Sequence, residues 1–514
     1  MATMHTSDGV SRWGDRWFDG VGSLEAVLTD QQLADRVEMV VSRVGPERYR
    51  AAAVDGSVEF TRDGGDGGGD GPRYSVERIE GRDPLAVQST GHLVGHAEER
   101  GARFPDRTQN AYPHAHDSIA QFFDAPNAPD LVALHTAAHH TDGHLGQHGS
   151  LGVVQARAPF LAAGAGVRSL GMVDRSTRVV DVAPTVAALL GVTPHPEGIG
   201  PTGERRDDAL LRRQDGRPEV ELLDGSVAQH VVVFLLDGCN ANLLYDVIDS
   251  GEAPNLAGLL ARGTAYRHGA MASLPTATLA NHTTAVTGAH PGHSGVLHNT
   301  WVDPADGSAP DLLAMDQMFW AMRHLSPEVE TLFAAIERTR PGAFSSATFE
   351  FCDTGASFSS FGLVRYGRDG SGLPPLEEVT HLDRPSAEAS GAYRFMASVD
   401  HLSAAHTIEC WEQAHGNPLP TLSWCSLALT DEAGHESGPH GELARAAVRD
   451  SDARVGDVLA AVERAGALER TAVLVIADHG MEQNDERIDA PWTPELEASG
   501  VAHREVGGGL IYLT

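Results

Sequence analysis

Three aspartates stand where three apolar runs end. Asp237 closes His230–Asp237 (HVVVFLLD), Asp431 closes Thr421–Asp431 (TLSWCSLALTD) and Asp478 closes Thr471–Asp478 (TAVLVIAD). Carboxylates gathered at the ends of neighbouring buried strands repel one another unless a cation lies between them. Two of the three have a histidine partner. His435 follows Asp431 at i+4, a spacing that shares one face of a helix, and His479 follows Asp478 directly. Oxygen and imidazole donors together suit zinc or a similar first-row divalent ion. One aspartate at a strand end is an ordinary structural feature; three, two of them with imidazoles, point to a metal centre.

A candidate nucleophile lies between the first two runs, in Ser273–Gly288 (SLPTATLANHTTAVTG). Leu279, Thr283 and Val286 keep helical spacing, Gly288 stops the run, and Thr278 stands just before it as an N-cap. A hydroxyl there faces free N–H groups and the positive end of a helix, where a phosphate can be held. Capping alone is the plainer role for such a threonine. Asn281, three residues on, is placed to turn its amide toward a phosphoryl oxygen.

To bring these groups together the three runs must be strands of one sheet. Each is rich in Val, Ile and Leu without alternation, as parallel strands buried on both faces are. Helical patterns over Asn255–Arg262 and Glu442–Ala465 fall between them. This is the βαβ pattern of a doubly wound, mostly parallel α/β sheet, whose sites gather at the carboxyl ends of the strands. Upstream, a helix is expected over Ser23–Val44, followed by short strands. Asp63–Gly71 (DGGDGGGDG) reads as a flexible loop, since a calcium-binding roll needs stacked copies. Strands are expected over 130–135 and 151–163, then a helix over 179–191 with Pro184 in its first turn and Gly191 as its stop. The polar stretch that follows gives a linker at 201–226, dividing a segment 1–200 from a larger one, 227–514.

The chain has 514 residues, 41% apolar and 21% charged, as a soluble globular protein has. All 38 basic residues are arginine, and 71 acidic ones leave a net charge of −33. Such a surface excludes nonspecific binding to nucleic-acid duplexes and to anionic membranes. Cys239, Cys352, Cys410 and Cys425 are scattered, with no CxxC pair. They form neither a disulfide framework nor a cysteine zinc site. The first residues show no basic-then-apolar leader, and apolar runs such as Val231–Leu236 are strand-sized; a cytoplasmic location is expected.

Asp237-Gly238, PTATLANH with a following TG, TDEAGHESGP and ADHGM, in this order, together resemble the type I phosphodiesterase/nucleotide pyrophosphatase branch of the alkaline phosphatase superfamily, over about residues 230–514. The resemblance implies an alkaline phosphatase-like sheet with a smaller inserted α+β cap, here at about 300–415. It implies two divalent ions, zinc first and manganese as the other choice. Asp237, Asp478, His479 and the Thr278 oxygen would hold one; Asp431, His435 and a histidine in a Gly-x-His-Gly context would hold the other. That histidine should follow ADHGM, yet only 35 residues come after His479, and His503 (VAHREV) is a poor match. The motif stands upstream instead, as Gly146-Gln147-His148-Gly149. A circular permutation is therefore expected, the first 200 residues supplying what usually comes last, which neighbouring chain ends permit. A domain-swapped homodimer satisfies the same sequence.

The implied chemistry is hydrolysis of a small anionic phosphodiester or pyrophosphate, with Thr278 as nucleophile, a phosphothreonine intermediate, and Asn281 holding a non-bridging oxygen. A phosphonate C–P hydrolase and a phosphomonoesterase use the same groups, and an inactive metal- or phosphate-binding protein is the alternative of another class. A sulfatase is disfavoured, since no cysteine lies in the Cys/Ser-x-Pro-x-Arg context. Two further clusters stand out. His290, His293, His298, Asn299, Trp301 and Asp303 are candidates for the pocket edge, with a polar surface loop around one packed tryptophan as the alternative. The aromatics Phe349, Phe351, Phe358 and Phe361 are candidates for stacking a base, with core packing as the alternative.

Overall fold

The computed structural model describes residues 20–63, 71–91, 95–101, 107–139, 143–303, 305–365, 390–489 and 491–514. The three apolar runs are the adjacent central strands of an eight-stranded sheet. Its order is Gly171–Val173, Gly263–Tyr266, Phe160–Gly164, Thr471–Ile476, His230–Leu236, Leu422–Leu427, Ser345–Thr348 and Phe358–Ser359. Val231 pairs with Ala472 on one side and Leu422 on the other, both in parallel. Only Phe160–Gly164 runs against its neighbours. Every residue of the three central strands is buried, which explains their unbroken apolar composition. The helices Gly391–Trp411, Leu429–Ser437 and Glu442–Arg464 pack on one another beside this sheet.

A second sheet of seven antiparallel strands draws on both ends of the chain. Its order is His503–Val506, Leu510–Leu513, Leu131–His135, Val37–Gly45, Arg48–Ala53, Gly56–Asp63 and Arg73–Gly81. It has its own apolar core, with Met39, Tyr49, Phe60, Ile119, Phe122 and Leu134, onto which Leu279, Val296 and Trp301 pack. The stretch after Thr278 thus lies between the two cores.

Several expectations are corrected. The helix expected over Ser23–Val44 is a short helix, Gly22–Leu28, followed by the strand Val37–Gly45. There the apolar run Met39-Val40-Val41 is buried on both faces of a sheet, and β-branched valines favour that state. The 201–226 linker is packed structure: Leu211 and Leu222 join the main core and Asp215 is buried. Its polarity is satisfied internally, for example by Asp215 N and Gly216 N donating to Gly288 O. Within the 300–415 stretch expected as a cap, Ser345–Thr348 belongs to the large sheet, pairing with Leu422–Leu427. Short serine-rich strands escape a search for apolar runs. The central strand ends at Leu427, so Asp431 stands in the first turn of the next helix and not at the strand end. Residues 64–70 of the glycine-aspartate loop lie outside the described residues. Among the described residues no helix is long and apolar enough to cross a membrane.

Candidate active site and metal centre

Asp237 follows its strand directly and Asp478 follows its own by one residue, so parallel pairing brings both to one sheet edge. Asp431 comes to the same edge on the first turn of Leu429–Ser437. The backbone permits this approach because residue 238 is glycine. Its φ is +60°, and a Cβ there would stand 2.2 Å from Asp431 Oδ1. The Gly238 N–H also donates to Asp478 Oδ1 at 3.0 Å.

The N-terminal segment reaches the same point. His148 Nε2 lies 3.6 Å from Asp431 Oδ1, and His435 Nε2 lies 3.4 Å from Asp431 Oδ2. The His148 ring stacks on His479 with centroids 3.8 Å apart. Gly146 makes the contact possible, since a Cβ on it would meet Gly434 O at 2.4 Å. Thr276, buried in the PTAT loop, accepts from Gly149 N and donates to Ser150 O, tying this segment to the approach of Thr278.

Three imidazoles are fixed in one tautomer. His148 Nδ1 lies 2.7 Å from Thr276 O, His435 Nδ1 2.8 Å from Gly146 O, and His479 Nδ1 2.9 Å from Gly480 O. A carbonyl only accepts, so each Nδ1 carries the hydrogen and each Nε2 turns toward the carboxylates, as metal-ligating histidines are held. Thr278 is the first residue of the buried helix Thr278–Thr287, with Ala277 as N-cap, and its Oγ1 lies 3.4 Å from His479 Nε2.

The charges suit a cation. Burial, with Asp478 and Asp431 nearby, pushes the Asp237 carboxyl up to about 7, and burial lifts Asp478 to about 6. Burial, with His479 nearby, keeps His148 well below its ordinary value, while Asp431 outweighs burial and holds His435 up to about 9. Asp237 Oδ1, Asp431 Oδ1 and Asp478 Oδ2 are buried without a hydrogen-bond partner. Among the described residues three groups, His148–Asp431–His435, Asp237–Asp431–His479 and Asp237–His282–Asp478, have ligand atoms close enough to hold an ion. These residues fit a metal centre.

Of the residues singled out in the sequence, Asp237, Thr278, Asp431, His435, Asp478, His479 and His148 come together. Asn281 does not join them. Its Oδ1 accepts from Ser273 N, and its Nδ2 donates to Pro275 O at 2.8 Å, with Ser273 O and Ala277 O also near. Its amide is spent pinning the loop ahead of Thr278. Asn299 lies beside Thr278 instead: its Oδ1 accepts from Leu279 N, and it lines a cavity of about 410 Å³ with His148, His435, His298, Trp492 and Gly507–Gly509. The aromatics Phe349, Phe351 and Phe361 pack on each other instead, and none lines this cavity. His290 and His293 are buried in contacts with Asp117, Asp124 and Asp215. His282 and Glu350, buried beside Asp237, had no sequence signal strong enough to single them out.

The profile of the type I phosphodiesterase/nucleotide pyrophosphatase family matches residues 231–513, more than half of the chain. The chain belongs to this family. An uncharacterised pyrophosphatase/phosphodiesterase of Schizosaccharomyces pombe is 24% identical over 283 residues, 54% of this chain and 49% of that one. The chain thus spans about half the length of this curated phosphodiesterase relative. Among solved structures, murine ectonucleotide pyrophosphatase/phosphodiesterase 5, an inactive form in complex with AMP, is similar at 20% identity, covering 50% of this chain and 59% of that one, with a TM-score of 0.34. Phosphonoacetate hydrolase of Sinorhizobium meliloti, in complex with phosphonoformate, is similar at 18% identity over 49% and 57%, with a TM-score of 0.34. The phosphodiesterase family is metal-dependent, and six of the seven residues gathered at the sheet edge fall within its matched span. The seventh, His148, comes from outside it.

Proposed function

We propose that this chain is a metal-dependent phosphoric ester hydrolase with Thr278 as nucleophile, acting on small anionic phosphodiesters or pyrophosphates. The observation that carries this reading is the Thr278 hydroxyl at the start of a buried helix, 3.4 Å from His479 Nε2, at a sheet edge where three unsatisfied carboxylates and three tautomer-fixed imidazoles gather. Asp237, Asp478, His479 and Thr278 would hold one divalent ion, and Asp431, His435 and His148 a second; zinc suits this donor set best. Bound there, such ions stabilise developing negative charge on oxygen and ease deprotonation of a hydroxyl or water.

Thr278 Oγ1 attacks phosphorus in line and the ester oxygen departs on the opposite side, leaving a phosphothreonine. Water then enters from the side the ester left, and Thr278 is regenerated. Asn299 is placed to direct its amide N–H to a non-bridging oxygen, a role that Asn281 cannot fill. The helix dipole at Thr278 favours the same negative charge. The upstream position of His148 supports a circular permutation, and because His148 reaches Asp431 within one chain, no exchange with a second copy is needed. Four free, buried cysteines accord with a reducing, cytoplasmic setting.

Zinc- or manganese-loaded protein should hydrolyse bis-p-nitrophenyl phosphate faster than p-nitrophenyl phosphate or phosphonoacetate. Thr278→Ala should lower the rate by at least about a thousandfold. Faster phosphonoacetate cleavage would favour C–P chemistry, and no turnover of any of the three would leave a binding protein.

A further inference from the structure

Beside the Asp237 carboxylate lies a buried pair that the proposed chemistry does not use. His282 is 1% exposed and Glu350 0%. His282 Nδ1 lies 2.9 Å from Glu350 Oε2, and its Nε2 faces Asp237 Oδ2 at 3.7 Å and Asp478 Oδ2 at 3.9 Å. Glu350 is itself held: Ser426 Oγ donates to Oε2 and Cys352 N to Oε1, each at 2.9 Å. A buried carboxylate is costly unless fully partnered, so this arrangement is a built one. The backbone shows the same investment. Phe349, the residue before Glu350, has φ of +50°, a left-handed conformation that a phenylalanine adopts only when its surroundings demand it. That turn comes directly after the strand Ser345–Thr348, whose neighbour Leu422–Leu427 pairs in turn with the strand leading to Asp237.

Asp237 therefore has two differently placed oxygens. Oδ1 faces His479 at 3.8 Å and has no hydrogen-bond partner, while Oδ2 faces His282. We infer that Glu350 and His282 form a positioning pair that holds Asp237 through Oδ2, so that Oδ1 is presented to a divalent cation. Neither residue touches substrate. Glu350 orients the imidazole, and the imidazole orients the carboxylate, as partners behind a metal ligand do. This inference rests on the metal-centre reading above and goes beyond it by assigning a role to two residues outside the ligand set.

The test is zinc affinity of the full chain, measured by competition with a chromogenic chelator, for the wild type, His282→Gln and Glu350→Gln. A third variant, Phe351→Leu, is a packing control: its ring meets the His282 ring edge-on at 5.1 Å without a hydrogen-bonding role. His282→Gln and Glu350→Gln should each weaken zinc binding about 10–100-fold. Their melting temperatures in EDTA should stay close to that of Phe351→Leu, and KM for bis-p-nitrophenyl phosphate at saturating zinc should be unchanged. Phe351→Leu should keep wild-type zinc affinity. Unchanged affinity in the two test variants, or equal weakening in Phe351→Leu, overturns the positioning role. A wild type that binds no zinc or manganese overturns the metal-centre reading itself, a separate result. Glu350→Gln keeps the size and most hydrogen bonds of the original, so it stays informative if His282→Gln fails to fold.

Discussion

At the scale of single residues, the site is defined by which atom of each side chain is already spent. The Nδ1 atoms of His148, His435 and His479 are committed to carbonyls, and what remains is three Nε2 atoms facing three carboxylates. Asn281 shows the reverse: its amide is used up within the loop and has nothing left for a ligand. Asparagine three residues beyond a nucleophile looks the same in sequence in either case, because only the loop's path decides what the amide meets. His148 gives the sharpest residue-scale prediction. His148→Ala should lower bound zinc from two ions per chain to one, read by elemental analysis after dialysis. His503→Ala should leave two, since His503 Nδ1 bonds Val501 O within its own hairpin. Loss of zinc in His503→Ala with none in His148→Ala would reverse the assignment.

At the scale of elements, the helix Leu429–Ser437 carries Asp431 and His435 on one face, and its start is fixed from a neighbouring helix. Asp400, fully buried on Gly391–Trp411, accepts from Ala428 N at 2.6 Å and Leu429 N at 3.3 Å, satisfying N–H groups that a helix start leaves unpaired. Asp400→Ala should cost about 1–3 kcal/mol in urea denaturation, the price of two buried donors without partners. It should also weaken zinc binding, because the first turn holding Asp431 loosens. A stability loss with zinc affinity untouched would show that the cap does not position the ligand. The helix Thr278–Thr287 is set differently: Thr278 is not its cap, as its sequence position suggested, but the first helical residue, delivered by the loop that Asn281 pins.

At the scale of the whole molecule, distant stretches are joined by buried ionic contacts. His293 Nδ1 lies 2.7 Å from Asp215 and its Nε2 2.9 Å from Asp124, linking the short helix Pro291–Ser294, the 201–226 stretch and the second sheet's core. Burial alone would depress this histidine, but the two carboxylates outweigh it and hold its pKa above the ordinary value. A histidine raised on folding stabilises fully below its unfolded pKa of about 6.5, and that contribution fades as pH climbs through the folded value. His293→Gln should therefore lower the melting temperature more at pH 5.5–6, roughly one unit below the unfolded value, than at alkaline pH. An equal loss at both ends would remove the ionic explanation. Gly20, the first described residue, lies beside the strand Leu510–Leu513 of the second sheet: a Cβ on it would stand 3.0 Å from Leu513 Cδ1. A re-cut chain, with Thr514 joined to Gly20 by a short linker and new ends at Gly203 and Glu204, should fold and keep wild-type zinc stoichiometry by elemental analysis. Gly203 is exposed with open space around it, so the cut falls where little is lost. Failure of that variant to bind two ions would count against the permuted reading. The sequence by itself determined the parallel centre of the large sheet and most of the site, because buried strands must be continuously apolar and ligands must be acids or imidazoles at their ends. Only the tertiary structure decided that Val37–Gly45 is a strand, that 201–226 is packed, that Asn299 and not Asn281 lines the cavity, and that His148 stands against Asp431. Those outcomes depend on contacts between residues far apart in the chain, which local composition does not encode.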